Sequence, residues 1–123
     1  MSRITMAVLA VVILSVPVAA LAGHSNLQIP SADTFVLGGD QIAAMMVSGK
    51  NVGKTSIVVL SRIDAKETVI ATVAPGGTFQ HNYAIGETAL LRNLAPDETA
   101  QVSVDFTGSP SNLTMKYMGK PKN

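Results

Sequence analysis

Thirteen residues, PGGTFQHNYAIGE from Pro75 to Glu87, gather a histidine, a tyrosine and a glutamate behind a double glycine. Imidazole, phenol and carboxylate are groups that carry general acid–base chemistry, and imidazole with carboxylate can ligate a divalent metal. The rest of the chain offers little to complete either site. In 123 residues there are two histidines, no cysteine and no tryptophan. Neither histidine stands beside a serine in a strand-to-helix elbow of the G-x-S-x-G kind, so no activated nucleophile is assembled. The adjacent carboxylates Asp97 and Glu98 are loop neighbours, whereas glycoside hydrolysis needs two carboxyl groups facing each other across a bond. The residues therefore point away from an enzyme.

The same stretch is similar to the first metal-binding motif of the cupins, G-x5-H-x-H-x3-4-E, through Gly76, His81 and Glu87. Its glycine-to-histidine spacing is one residue short, Tyr83 stands in place of the second histidine, and no histidine follows downstream. A catalytic divalent site takes three protein ligands, and His81 with Glu87 supplies two. A second motif, SGKNVGKTS from Ser48 to Ser56, resembles the phosphate-binding P-loop at Gly53-Lys54-Thr55. Ser48 occupies the place of the first glycine, and the β-branched run SIVVLSRI follows where a helix must open. Lys50 to Gly53 is read instead as a hairpin turn, on the turn preferences of Asn and Gly.

One ligand set remains open. Thioether and imidazole are soft and borderline donors that suit copper, and His24, His81, Met45, Met115 and Met118 could supply them. His24 would lie one residue inside a new N-terminus if cleavage fell after Ala22, beside the free amine of Gly23. In its organisation this resembles small periplasmic copper-binding sandwiches of the CopC type, which implies a copper cofactor held by His and Met. The competing reading needs no cofactor, because methionine is an ordinary core filler and consecutive Met45 and Met46 point to opposite faces of a strand.

The elements that must position these residues begin with a targeting segment. Arg3 precedes the aliphatic run Ile4 to Val16, then Pro17 and the small-residue triplet Ala20-Leu21-Ala22, so residues 1–22 read as a secretory signal peptide. The alternative is an uncleaved membrane anchor, since Ile4 to Ala22 approaches the ~20 residues that span a bilayer. The expected location is exported, either periplasmic or extracellular. Without Arg3 the chain carries eight basic residues against eight acidic ones. That balance excludes a concentrated nucleic-acid footprint, and residues 119–123 are read as a basic C-terminal tail. Membrane contact is expected only through the signal segment if it is uncleaved.

Residues 23–33 are read as an extended N-terminal segment and 34–118 as the folded domain. Within it, β-branched runs alternate with turn residues at intervals of about ten, the rhythm of a sandwich or barrel. KTSIVVLSRI (54–63), apolar on both faces in its middle, is a central strand, and ETVIATVA (67–74) returns from it across Asp64-Ala65-Lys66. TAQVSVDFT (99–107) alternates cleanly between a buried and a wet face. Gln41 to Ser48 is read as a strand, with two helical turns as the alternative. In Thr78 to Ile85 the odd positions Phe79, His81, Tyr83 and Ile85 share one face. That face either packs inward, with a ring nitrogen of His81 satisfied by a backbone carbonyl, or makes Phe79, His81 and Tyr83 a surface for recognition. Asn112-Leu113-Thr114 matches the glycosylation sequon.

LAPDETAQVSV, Leu94 to Val104, resembles the loop and strand that in fibronectin type III domains read L-x-P-x-T-x-Y-x-V-x-V, with Leu94, Pro96, Thr99, Val102 and Val104 in the corresponding places. The resemblance implies a sandwich. The expected fold is thus all-β, an antiparallel immunoglobulin-like β-sandwich of about seven or eight strands after an N-terminal signal helix. The expected function is that of a non-enzymatic binding or structural module acting on another extracytoplasmic protein or a surface component. Carbohydrate stacking platforms are not expected, because exposed tryptophan or tyrosine would be needed and the chain is poor in both.

Overall fold

The computed structural model describes residues 22–41, 43–107 and 114–119. Apart from Ala22, the targeting segment lies outside the described residues, as do Asn112 and Leu113 of the sequon and all but Gly119 of the tail. The described residues form nine strands and no helix, so none of them builds a helix long and apolar enough to cross a membrane. The strands are β1 (Ala22–Ile29), β2 (Thr34–Gly38), β3 (Met45–Asn51), β4 (Ile57–Ile63) and β5 (Lys66–Val73). They continue as β6 (Thr78–Tyr83), β7 (Thr88–Asn93), β8 (Ala100–Thr107) and β9 (Met115–Tyr117).

Two antiparallel sheets face each other. Sheet A has the order β1-β8-β3-β6, and sheet B the order β5-β4-β7-β2-β9. Apart from the β4–β5 hairpin, every connection passes from one sheet to the other. That alternation, with four strands in one sheet and four plus a short edge strand in the other, is a jelly roll. The two-sheet sandwich agrees with the expectation from the sequence, but the immunoglobulin-like arrangement is corrected, because that fold keeps a different strand order with several in-sheet hairpins. The fibronectin-like stretch shows why local pattern misled. Its strand is β8, but Leu94 at its start is exposed rather than buried.

Local chemistry explains the chain reversals. In Ala74-Pro75-Gly76-Gly77 the amide of Gly77 donates to the carbonyl of Ala74 over 2.8 Å, with Gly76 at φ 85°. This is a type II turn, where proline presets the first corner and glycine supplies the positive φ of the second. Ala84-Ile85-Gly86-Glu87 repeats the geometry, with Gly86 also at φ 85° and a 3.0 Å bond from Glu87 to Ala84. The expected division of PGGTFQHNYAIGE into turn, strand and turn is therefore what the structure has.

Two expectations about boundaries are corrected. Gln41 to Ser48 is neither a whole strand nor a helix, since β3 starts at Met45 and runs through Lys50 to Asn51. Lys50 to Gly53 accordingly is not a hairpin turn. β3 pairs with β6 and β8, and the chain then crosses to sheet B to begin β4. A further strand, β1, occupies most of the segment expected only as extended chain; it pairs along its whole length with β8, from Ala22 opposite Thr107 to Ile29 opposite Ala100.

The core lies between the sheets. β8 alternates strictly, with Ala100, Val102, Val104 and Phe106 buried, and the inward residues of β3 and β6 meet Phe35, Leu37, Ile57, Val59 and Leu91 from sheet B. At Gly49 the missing side chain is filled by the ring of its cross-strand partner Phe79. A Cβ there would lie 2.7 Å from that ring and 2.8 Å from the carbonyl of Ser103. A second, smaller apolar cluster, Val36, Leu60 and Leu90, sits on the side of sheet B turned away from this core. These three residues occupy one cross-strand row, which is why KTSIVVLSRI reads as apolar on both faces.

Two buried asparagines hold the loops at the end of the sandwich where β7 leaves for β8. Asn93 donates from Nδ2 to the carbonyls of Ile29, Pro30 and Glu98, and its Oδ1 accepts from the amide of Ala95. Asn51 does the same between β3 and β4, donating to Thr55 and Val73 and accepting from Gly53. Both are fully buried. A primary amide can cap donors and acceptors at once, so each replaces the ladder bonds that the irregular backbone has lost.

Candidate functional site

The first candidate is the histidine cluster that β6 and its turn assemble. His81 points inward from the edge strand β6, with its side chain 29% exposed, and its ring packs edge-on against Tyr83 at 4.5 Å between centroids. Phe79 and Tyr83 are buried, so the alternative in which these three residues form a recognition surface is corrected: the face they share is a core face. The ring nitrogen of His81 meets Glu87 Oε2 at 3.4 Å rather than a backbone carbonyl. The Tyr83 hydroxyl donates to the carbonyl of Leu60 in β4, tying the two sheets together. Burial, assisted by the negative charge of Glu87, pushes the Tyr83 phenol far above its ordinary pKa, so it does not ionise in any ordinary medium.

Glu87 is the centre of this cluster. It accepts hydrogen bonds from the Ser61 hydroxyl and, at 2.8 Å, from the Ala84 amide of its own turn. Burial alone would raise its carboxyl; the bonds from Ser61, Ala84 and His81 outweigh that and hold it below the usual carboxylate value. Gln41 closes the mouth from the β2–β3 loop. Its amide donates to the carbonyls of Ala84 and Glu87 and accepts from the amide of Gly39. In a serine triad the imidazole lies between hydroxyl and carboxylate so that it can take the hydroxyl proton. Here Glu87 Oε2 is the shared partner of Ser61 and His81, so the carboxylate occupies the middle place that imidazole holds in a triad. The arrangement fastens one end of the sandwich.

The proposed copper ligands do not converge. His24 lies on β1 and points outward from sheet A; His81 lies on β6, at the opposite edge, and points inward. Three strand spacings separate them, ~14 Å, on opposite faces. Met45 is buried in the core beneath β3, and Met115 and Met118 stand in and just after β9 at the far edge of sheet B. Among the described residues no group of three His, Cys, Asp or Glu side chains is placed to hold a metal. The reason is topological: the methionines and histidines are distributed over both sheets and both faces of a jelly roll.

The second candidate is the outer face of sheet A, which the sequence reading passed over as a wet side. Strand pairing lays its residues out in rows. One row reads His24, Asp105, Ser48 and Gln80 across β1, β8, β3 and β6; the next reads Asn26, Ser103, Lys50 and Thr78. A groove of about 510 Å³ crosses β8, β3 and β6 here, lined by Ser48, Gly49, Lys50, Thr78, Phe79, Gln80, Ser103 and Asp105. Its floor is set by Ser48 and Ser103, which are half-buried, and its rim by longer exposed side chains.

At one end of the groove, Nδ1 of His24 lies 2.6 Å from Asp105 Oδ1, and Nε2 lies 3.2 Å from Asn26 Oδ1. Both ring nitrogens therefore face oxygen acceptors, the arrangement that suits a doubly protonated imidazolium. The hydrogen bond to Asp105 raises the His24 pKa above its ordinary value against a smaller opposing effect of desolvation, and Asn26 adds to the rise. What the sequence lacked was the register: only the β1–β8, β3–β8 and β3–β6 pairings together bring residues from four distant segments onto one surface.

No family model matches the chain, and no curated protein matches it. Among solved structures, it is similar to the crystal structure of Yersinia pseudotuberculosis-derived mitogen at 10% identity. That match has a TM-score of 0.46 and covers 84% of this chain and 99% of that one.

Proposed function

We propose that this chain is an exported, non-enzymatic β-sandwich that works as a binding module and presents the outer face of sheet A to a partner outside the cytoplasm. The observation that carries the reading is the groove over β8, β3 and β6, where polar side chains from three strands converge on one open surface. The histidine cluster supports the non-enzymatic half, because its carboxylate stands between serine and histidine and its phenol is committed to a backbone carbonyl of the other sheet. Export rests on the signal-like order of Arg3, the apolar run and the Ala20-Leu21-Ala22 triplet.

The test is retention. Residues 23–123 are immobilised and exposed to an extracytoplasmic fraction beside a variant carrying Ser48→Lys and Ser103→Lys, which fills the groove floor with charge while leaving the core untouched. A component retained by the native chain and lost by the variant is expected. Equal retention by both, or none by either, removes the outer face of sheet A from the function.

A further inference from the structure

We infer that the groove over β8, β3 and β6 takes a neutral polyhydroxylated ligand, the sugar units of a saccharide chain, and holds it by hydrogen bonds to Ser48, Gln80, Ser103 and Asp105 with Lys50 as a further donor. The inference rests on the reading that the outer face of sheet A is the binding surface, and it adds the class of ligand.

Residue choice on this face is the first argument. Asn and Asp are depleted in pleated strands, and β-branched or aromatic residues are preferred there. Yet Asp105, Ser103 and Gln80 occupy outward positions within β8 and β6, and Asn26 stands beside them on β1. The outer face of sheet B shows what the same fold does elsewhere. There Arg92 grips Glu67 in a bidentate pair and apolar Val36, Leu60 and Leu90 line up between strands. Strand propensity alone therefore does not account for Asp105 and Asn26 on this face.

The second argument is complementarity. Hydroxyl and amide groups donate and accept, so a lining of this kind matches a ligand whose every polar group also does both. In the groove a single ammonium, Lys50, is set against a single carboxylate, Asp105, so an anionic polymer finds no cluster of cations. A protein partner's hot spot calls for aromatic anchors and apolar pockets; the one aromatic ring at the groove, Phe79, is buried on the other side of the sheet. The volume, about 510 Å³, falls within the range of small-ligand sites. Asp105 is the directional element. His24 holds Oδ1 of Asp105 from the β1 side through Nδ1 while Asn26 steadies its other ring nitrogen, and among the described residues no side chain takes Oδ2, which can accept from adjacent hydroxyls; His24 acts here as a positioning residue.

No ring stacks on the ligand, so a single site is expected to bind in the millimolar range and to gain on a polymer by multivalency. Residues 23–123 are first screened on an array of neutral and acidic glycans. The best neutral saccharide is then titrated into the ¹⁵N-labelled chain. Saturable shifts confined to the amides of Ser48, Lys50, Gln80, Ser103 and Asp105 are expected, with binding weakened about tenfold in Asp105→Ala. Asp105→Asn, which keeps one acceptor oxygen, is expected to retain part of it, and an unchanged thermal midpoint in both variants separates lost binding from lost folding. An array with no neutral glycan bound, or shifts that Asp105→Ala leaves unaltered, overturns the saccharide. If the retention experiment then yields a protein lost on the groove variant, the binding surface stands and only its ligand class falls. If retention fails too, both go.

Discussion

Tyr83 shows how one side chain can decide between two readings of a sequence. Period-two geometry put Phe79, His81 and Tyr83 on one face, but a single strand cannot say whether that face looks in or out. The deciding partner, the Leu60 carbonyl, is 23 residues away and belongs to the other sheet. Tyr83→Phe is expected to lower stability by about 1 kcal/mol, since one buried acceptor loses its donor while the ring still fills the core. Chemical denaturation at constant slope checks this. The two histidines differ in a way titration can read. His24 has a folded pKa raised by Asp105, so its contribution to stability is complete below the ordinary histidine value and is lost as pH rises through the raised one. Proton NMR is expected to place its midpoint lower in Asp105→Asn. Glu87 runs the other way: its folded pKa is lowered, so its contribution is present above the ordinary carboxylate value and fades as pH falls through the folded one. Glu87→Gln is expected to flatten the acid limb of a stability–pH curve, and an unchanged limb would sink that assignment.

At the level of elements, the strands were largely legible and their partners were not. Thr88 to Asn93 is β7 as expected, β8 differs by one residue at its start, and the β4–β5 hairpin follows from two β-rich runs separated by a tight turn. These are features a local window contains. The β3–β4 connection was misread because Lys-Asn-Val-Gly has the composition of a hairpin turn, and nothing local shows that Asn51 is buried to serve two crossing backbones. Gly49 was equally invisible as a packing position. Gly49→Ala is expected to cost about 1–3 kcal/mol, because its Cβ meets the Phe79 ring and a backbone carbonyl that cannot move apart together. A compensating Phe79→Leu should recover part of that loss. Asn93→Ala is expected to cost about 3 kcal/mol or more, as three carbonyls and one amide lose their shared partner in the interior. Thermal unfolding of the single variants against the native chain measures both.

For the whole molecule, the alternation of strands between sheets makes nearly every pairing long-range. β1 finds β8, and β2 finds β7, so the ends of the domain must meet before either sheet is complete. Folding is accordingly expected in milliseconds to seconds, the range of β-sandwiches rich in non-local contacts, and stopped-flow fluorescence of the tyrosines can follow it. The N-terminal strand carries Leu27 and Ile29 into the core. A chain beginning at Gly23 is expected to fold, and one beginning at Pro30 to aggregate through the bared edge of β8. The sheet order was the part least readable in advance. Both sandwich types share short strands, turn spacing and alternation, and only the order in which strands pair separates them.

The buried asparagines also set a chemical clock. Asparagine is a thermolabile residue, and in the native state Asn51 and Asn93 are sealed in the interior with both amide atoms committed to backbone partners. Each excursion to the unfolded state exposes them to deamidation. The aspartate that results would turn a carboxylate toward the very carbonyls that had received amide hydrogens, so a molecule aged while open could not close again. Shelf life would then track the fraction of time spent unfolded, and mass analysis of heat-stressed protein would find the conversion at these two positions only in the material that fails to refold.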